Sequence, residues 1–300
     1  MKLSWTWALF LFSALPLAAQ ELEPGAYSIS PVGVNIVVAS YNFSEGDVTF
    51  DPALPVEDAV ATIHTTIFSY VRSVNVLGRS GNTAIVAPYS VGHLEGLYVG
   101  EFTEVDRSGF RDPLVRFSVN LYGAPAMDLK EFASYRQRTN VGVSLLAALP
   151  LGEYDPTKLI NLGSNRFSFK PEIGLSHAFA KWTVEVYGGI WLFTDNQDFF
   201  GGKTREQAPL SSVQLHVLYT FKPRLWLAVD ANYYRGGQTK VDGRLNLDFQ
   251  KNSRLGATFS YPLGPRQSLK VAFSRGAYTT IGADFTSVVA GYQVLWGAGL

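Results

Sequence analysis

The stretch Leu114–Tyr122, L-V-R-F-S-V-N-L-Y, puts Val115, Phe117, Val119 and Leu121 on one face and Arg116, Ser118, Asn120 and Tyr122 on the other. A period of two belongs to a β-strand. One face is apolar and free of charge, whereas the other carries an arginine. Such an apolar face points at a core in a soluble sandwich. In an outer-membrane barrel it points at lipid, and the polar face lines the lumen. Recurrence of the pattern, sidedness of the connections and the segment ahead of the first strand all favour the barrel.

No apolar run approaches the ~18–20 residues of a transmembrane helix. The longest, Leu145–Leu151, contains Pro150 and is strand-sized. A chain like this can enter a membrane only as a closed barrel, because only helices and closed barrels satisfy every backbone group in lipid. Aromatic residues at 14% suit interface girdles. The first nineteen residues read as a signal peptide: Lys2, an apolar Leu3–Leu15, and Pro16-Leu17-Ala18-Ala19 before a cleavage point near Ala19 or Gln20. Residues 20–300 then form one outer-membrane barrel domain. Cysteine is absent, which excludes disulfides, thiolate metal sites and cysteine nucleophiles. The 25 basic and 25 acidic residues leave no basic footprint for nucleic acid.

Twelve strand-like segments lie near 31–42, 58–74, 83–93, 112–123, 138–150, 165–178, 181–193, 210–221, 224–235, 252–263, 267–277 and 284–296. Short turns at Ala180-Lys181, Lys222-Pro223-Arg224 and Gly264-Pro265-Arg266 alternate with long connections at 44–57, 94–111, 151–164, 194–209 and 236–251. Bacterial up-and-down barrels keep short turns in the periplasm and long loops outside. The connection 124–137 breaks this rule. Its Met127–Phe132 core reads as a short amphipathic helix, at the membrane interface or plugging the barrel base. The last segment ends in an alternating Gly291-Tyr292-Gln293-Val294-Leu295-Trp296, similar to the signal read by the barrel-assembly machinery.

The central stretch is more specific. Leu151-Gly152-Glu153-Tyr154-Asp155-Pro156, Leu159-Ile160-Asn161-Leu162-Gly163-Ser164-Asn165-Arg166-Phe167 and Phe169-Lys170-Pro171-Glu172-Ile173-Gly174 resemble the signature of the meta-pathway phenol-degradation family, labelled as transporters. Further matches are Tyr27-Ser28, Pro31–Asn35, Phe110-Arg111-Asp112-Pro113, Phe193–Asn196 and Phe199–Gly202. One departure is Arg111, where the family pattern has glycine in a G-x-G-[FD]-D-P turn. The resemblance implies an outer-membrane barrel associated with uptake of aromatic or other small organic compounds, and it marks Tyr154, Asp155, Pro156, Asn161, Gly163, Asn165 and Arg166 as its signature loop.

Charge on a lipid-facing strand position costs about 2–4 kcal/mol near the midplane. Arg72, Arg116, Lys170, Glu172, Glu185, His216, Asp230 and Arg254, with Lys270, are therefore assigned to the lumen, either as a mixed-sign selectivity lining or as ion pairs that fill it. Lys170 and Glu172 share a face and can pair with each other. Histidines 64, 93, 177 and 216 lack metal-ligand spacing, and no nucleophile motif surrounds a Ser-His pair. Loop 194–202 gathers Asp195, Asn196 and Asp198 without the EF-hand order, so a polar turn is the expectation. Phe199-Phe200 is a candidate apolar contact at the outer mouth.

The expected function is passive uptake of small organic compounds across the cell outer membrane, with outer-membrane lipid and a small organic solute as partners. No cofactor, metal or catalytic residue is assigned. The alternatives are a non-conducting structural or surface-interaction barrel, and a barrel lipid esterase.

Overall fold

The computed structural model describes residues 22–49 and 56–299. The predicted signal peptide lies outside the described residues. The barrel wall begins with β1 (Val34–Thr49), β2 (Val56–Val76) and β3 (Arg79–Tyr98). Two collinear pieces follow, β4 (Glu101–Phe110) and β5 (Leu114–Tyr122). After α1 (Leu129–Ser134) come β6 (Thr139–Ala148), β7 (Ser168–Phe179) and β8 (Trp182–Phe193). A pair of short strands, β9 (Asn196–Phe199) and β10 (Lys203–Gln207), precedes β11 (Leu210–Lys222) and β12 (Leu225–Gly236). A second short pair, β13 (Thr239–Val241) and β14 (Arg244–Leu245), precedes β15 (Gln250–Gly264), β16 (Gln267–Tyr278) and β17 (Gly282–Gly297).

Every wall strand pairs antiparallel with its neighbours. β1 closes on β17 from Val34↔Gly297 to Thr49↔Gly282, so neither is left with a free edge. Counting β4 and β5 as one interrupted strand, the described residues form a closed twelve-stranded antiparallel barrel. Closure matters because each unpaired backbone group costs several kcal/mol in hydrocarbon.

The alternation seen in the sequence sorts side chains by face. Arg116, Ser118 and Asn120 are buried inside the barrel, whereas Phe117 and Leu121 are exposed on its outer surface. At the short-turn end, Trp182, Tyr219 and Phe221 pack edge to face at 4.8 and 4.9 Å on the outer surface, the position of an interfacial aromatic belt.

Three connections differ from the sequence reading. Segment 94–111 is no loop: β3 runs on to Tyr98, turns at Val99-Gly100, both at positive φ, and returns as β4. Segments 194–209 and 236–251 supply β9, β10, β13 and β14, a small sheet at the long-loop end. These strands rise above the membrane and are polar on both faces, so hydrophobic periodicity leaves no trace of them. A β-bulge joins β4 to β5. Val86 faces Leu114 and Tyr89 faces Phe110, so three steps along β3 oppose four. The extra residue reverses the inward parity, odd positions above it and even positions below.

The 124–137 connection does form a helix. Asp128 caps α1 in a capping box with Glu131. Phe132, Met127 and Ala124 pack with Ile29, Val34, Ile36 and Leu295 in an apolar cluster that closes the barrel base.

The chain has no native cysteine, so single introduced cysteines test the facing directly. Ile63→Cys and Ser274→Cys, on the inner wall of the outer half, should react with a charged methanethiosulfonate in folded protein. Val143→Cys and Leu227→Cys, on the outer surface, should not. Reversed labelling would invert the facing described here.

Candidate functional site

The inner half of the lumen is occupied by the chain itself. Residues 22–30 run up inside the barrel, with Ala26 and Tyr27 each only 1% exposed. The Tyr27 ring lies between Gly142 and Gly174. A Cβ at either glycine would come within 2.3 and 2.2 Å of that ring, so only glycine leaves the slot open. Wall side chains grip this segment along its length. Arg116 Nη1 meets Glu23 Oε2 at 2.7 Å, and the Gly25 amide donates to Glu185 Oε2 at 2.6 Å. The Tyr27 hydroxyl donates to Glu172 Oε1 at 3.1 Å, and Asn140 Nδ2 donates to the Tyr27 carbonyl at 2.7 Å.

The assigned lumen charges form a connected belt around it. Lys170 Nζ lies 2.7 Å from Glu172 Oε2, the within-strand pairing the sequence allowed, and Arg116 Nη2 lies 3.5 Å from Glu172 Oε1. Glu185 accepts from Ser176 and Tyr187 at 3.0 and 2.5 Å. Asp230 accepts from Thr258 at 2.9 Å and pairs with His216 Nδ1 at 2.7 Å. Lys270 sits over the Trp226 ring. Arg254, higher up, donates to Ser274 at 3.0 Å and to the Phe285 carbonyl.

Arg72 requires correction. Ser69, Val71 and Ser73 are the buried positions of β2, and Arg72 is exposed on the outer surface near the short turns. It donates to Asn35 Oδ1 at 3.4 Å, beside the Tyr70 and Trp296 rings. A cation there reaches the membrane interface along its own stem, so parity with an apolar neighbour did not require the lumen.

The His216–Asp230 pair has the orientation of a general base, but buried His216 Nε2 meets no hydrogen-bonding partner among the described residues, so no activated hydroxyl stands there. His64 and His177 bond Tyr41 and Thr139 respectively. His93 bonds Asp106 at 2.8 Å on the exposed outer wall, close to Glu95 and Glu104.

The signature loop is a self-fastened roof. Asp112, beside the bulge, accepts from the Gly152 amide at 3.0 Å and from the Ser164 amide and hydroxyl at 2.9 and 2.5 Å, tying both ends of the loop to the wall. Asn161 Oδ1 accepts from the Asp155 amide at 2.8 Å, and Gly163 backs onto Gly152. Tyr154 donates to the Asp198 carbonyl, and Asn196 bonds both Tyr154 and Asn165. The Gly201 amide donates to the Pro156 carbonyl. Arg166 donates to Gln207 and lies 4.5 Å over the Phe193 ring. Segment 194–202 therefore spends Asn196 and a backbone carbonyl on anchoring this roof. Phe199 lies beneath Arg205, and Phe200 is exposed.

Asp155 gives a pH handle. The Thr157 hydroxyl first, then Lys158 and the Thr157 amide, hold its carboxyl at about 2, below the ordinary 3.8. A depressed folded pKa stabilises above the unfolded value and is lost as pH falls through the folded one. The turn should therefore hold at about pH 4 and loosen towards pH 2. The Thr157 amide shift, followed by NMR in detergent, should titrate with a midpoint near that lower value. A midpoint at the ordinary carboxylate value would refute the contact.

Between the roof and the plug lies a cavity of about 230 Å³. Its floor includes Leu22, its roof Ile160, Asn161 and Leu162, and its wall includes Arg107, Arg111 and Arg254. Sequence reasoning missed both the plug and the cavity.

These features define a transmembrane β-barrel of the outer-membrane type, with an internal N-terminal plug. The sequence pattern of the family described as "Putative MetA-pathway of phenol degradation" matches residues 43–283, and the chain belongs to that family. Its fold is similar to an outer membrane channel from Pseudomonas putida F1, at 21% identity and a TM-score of 0.78, covering 92% of this chain and 100% of that one. A more distant likeness is the β-domain of the Bordetella autotransporter BrkA, at 11% identity and a TM-score of 0.50, covering 88% and 100%. No curated protein sequence matches the chain.

Proposed function

We propose that the protein is a channel for passive entry of small organic compounds, aromatic ones included, across the outer membrane, to which an N-terminal signal peptide directs it. The observation that carries this reading is the nature of the obstruction. A nine-residue strand of chain, held mainly by polar contacts, blocks the inner half, while the outer half stays hollow under a loop roof. Short turns then face the periplasm, the barrel-assembly machinery inserts the chain, and lipid surrounds the apolar band. Purified protein in planar bilayers should show small, flickering conductance, and liposomes carrying it should swell in small aromatic solutes. Insertion with neither current nor swelling would overturn the reading.

One observation favours a second reading, a non-conducting barrel in envelope structure or surface interaction. The apolar base around Phe132 and the charged belt together fill the inner half. Both readings leave the wall intact and differ only in whether residues 22–30 move.

A further inference from the structure

The outer cavity has a chemical bias. Its walls are mostly apolar: Ile63, Leu94, Val105, Ile160, Leu162 and Phe285. Against them stand three guanidiniums, Arg107, Arg111 and Arg254, and among the described residues no carboxylate lines the space. Two of the arginines are committed. Arg107 donates through Nε to the Ile160 carbonyl at 2.8 Å, and Arg254 donates to Ser274, Ser287 and Phe285. Arg111 differs. Its backbone amide donates to the Pro88 carbonyl at 2.9 Å, but among the described residues its guanidinium makes no hydrogen bond or ion pair. The neighbouring Asp112 carboxylate is turned away to hold Gly152 and Ser164. Two buried polar atoms on the same wall also lack partners among the described residues, Asn42 Oδ1 and Arg254 Nε. The bulge at 111–113 is what brings Arg111 here, since bulges re-aim a side chain.

We propose that this cavity binds a small organic monoanion, one ring or a short alkyl chain bearing a single carboxylate, with Arg111 as the carboxylate anchor. The assignment rests on the channel reading for its meaning in transport, although binding is measurable without current. A neutral hydrocarbon would fill the apolar walls but leave a partly buried guanidinium unpaired. An inorganic anion would pair with the guanidinium but lose its hydration against apolar walls. An organic carboxylate satisfies both, because guanidinium and carboxylate match as two parallel hydrogen bonds. Size agrees: a cavity of about 150 Å³ holds benzene, so this one has room for a ring and its carboxylate.

The test is calorimetric titration of the full barrel in detergent with benzoate and with its neutral counterpart, benzamide. Benzoate should bind about tenfold or more tightly than benzamide, the difference one charge-assisted pair supplies. Cyclohexanecarboxylate should bind like benzoate. Arg111→Gln should weaken benzoate about tenfold and leave benzamide unchanged, with heat-modifiable electrophoretic mobility confirming the barrel. Equal binding of benzoate and benzamide by the wild type would overturn the proposal without any variant. So would displacement of benzoate by chloride as effective as by benzoate itself, or an Arg111→Gln barrel that binds benzoate normally. Benzoate binding in a barrel that passes no solute would keep the site and remove the channel. Conduction without benzoate preference would do the reverse.

Discussion

Arg116→Glu should release residues 22–30 from the lumen and raise single-channel conductance several-fold. In the native belt the Arg116 guanidinium lies 2.7 Å from Glu23 and 3.5 Å from Glu172. The substitution replaces that cation with a third carboxylate facing the other two. Like charges about 4 Å apart cost roughly 4 kcal/mol each near a protein surface, more than the docking of one short segment readily absorbs. Lys170 still neutralises Glu172, so the wall keeps a partner for its own carboxylate. The charge that loses most is Glu23, on the plug. The measurement pairs planar-bilayer current with protease access to the N-terminal segment. Larger, steadier openings together with cleavage ahead of Val34 support a movable plug. A barrel that unfolds more easily yet carries no more current indicates a permanent filling, the second reading.

Asp112→Ala should loosen the whole roof. One carboxylate satisfies two amides and a hydroxyl at opposite ends of 151–164, and hydrogen bonds to a charged group contribute about 1.5–3 kcal/mol each. With both ends freed, segment 151–164 should become sensitive to external protease while the barrel stays heat-modifiable. Asp112→Asn keeps one acceptor and should fall between. Full protease resistance in Asp112→Ala would mean that the Asn161 and Asn196 contacts hold the loop without it.

The wall was legible because lipid enforces a period of two on every crossing strand. Leu114–Tyr122 and Val213–Phe221 declare their facing from composition alone. That constraint ends at the membrane. Glu101–Phe110 and Lys203–Gln207 form strands in water, with polar residues on both faces, and read as loops. Arg72 was misplaced for a related reason: alternation tells which residues differ in facing, but an arginine at the interface satisfies itself on either side. The plug was invisible for a deeper one. Leu22–Ser30 has no periodicity, and its partners Arg116, Asn140, Glu172 and Glu185 lie far along the chain. The nearest sequence signal was the cluster of inward charges that the wall alone could not neutralise.

That separation has a kinetic consequence. Gly25 reaches Glu185 across 160 residues, and Glu23 reaches Gln214 across 191. Contacts of such span pay their loop-closure entropy before they return anything, and topologies rich in them assemble slowly. Here the grip on the plug needs β5, β7, β8 and β11 already side by side, and the ring itself shuts only when β17, the final strand, zips onto β1. The first described stretch of chain is thus among the last to find its place. An assembling barrel passes through a stage in which its own leader is still outside and the bore is empty.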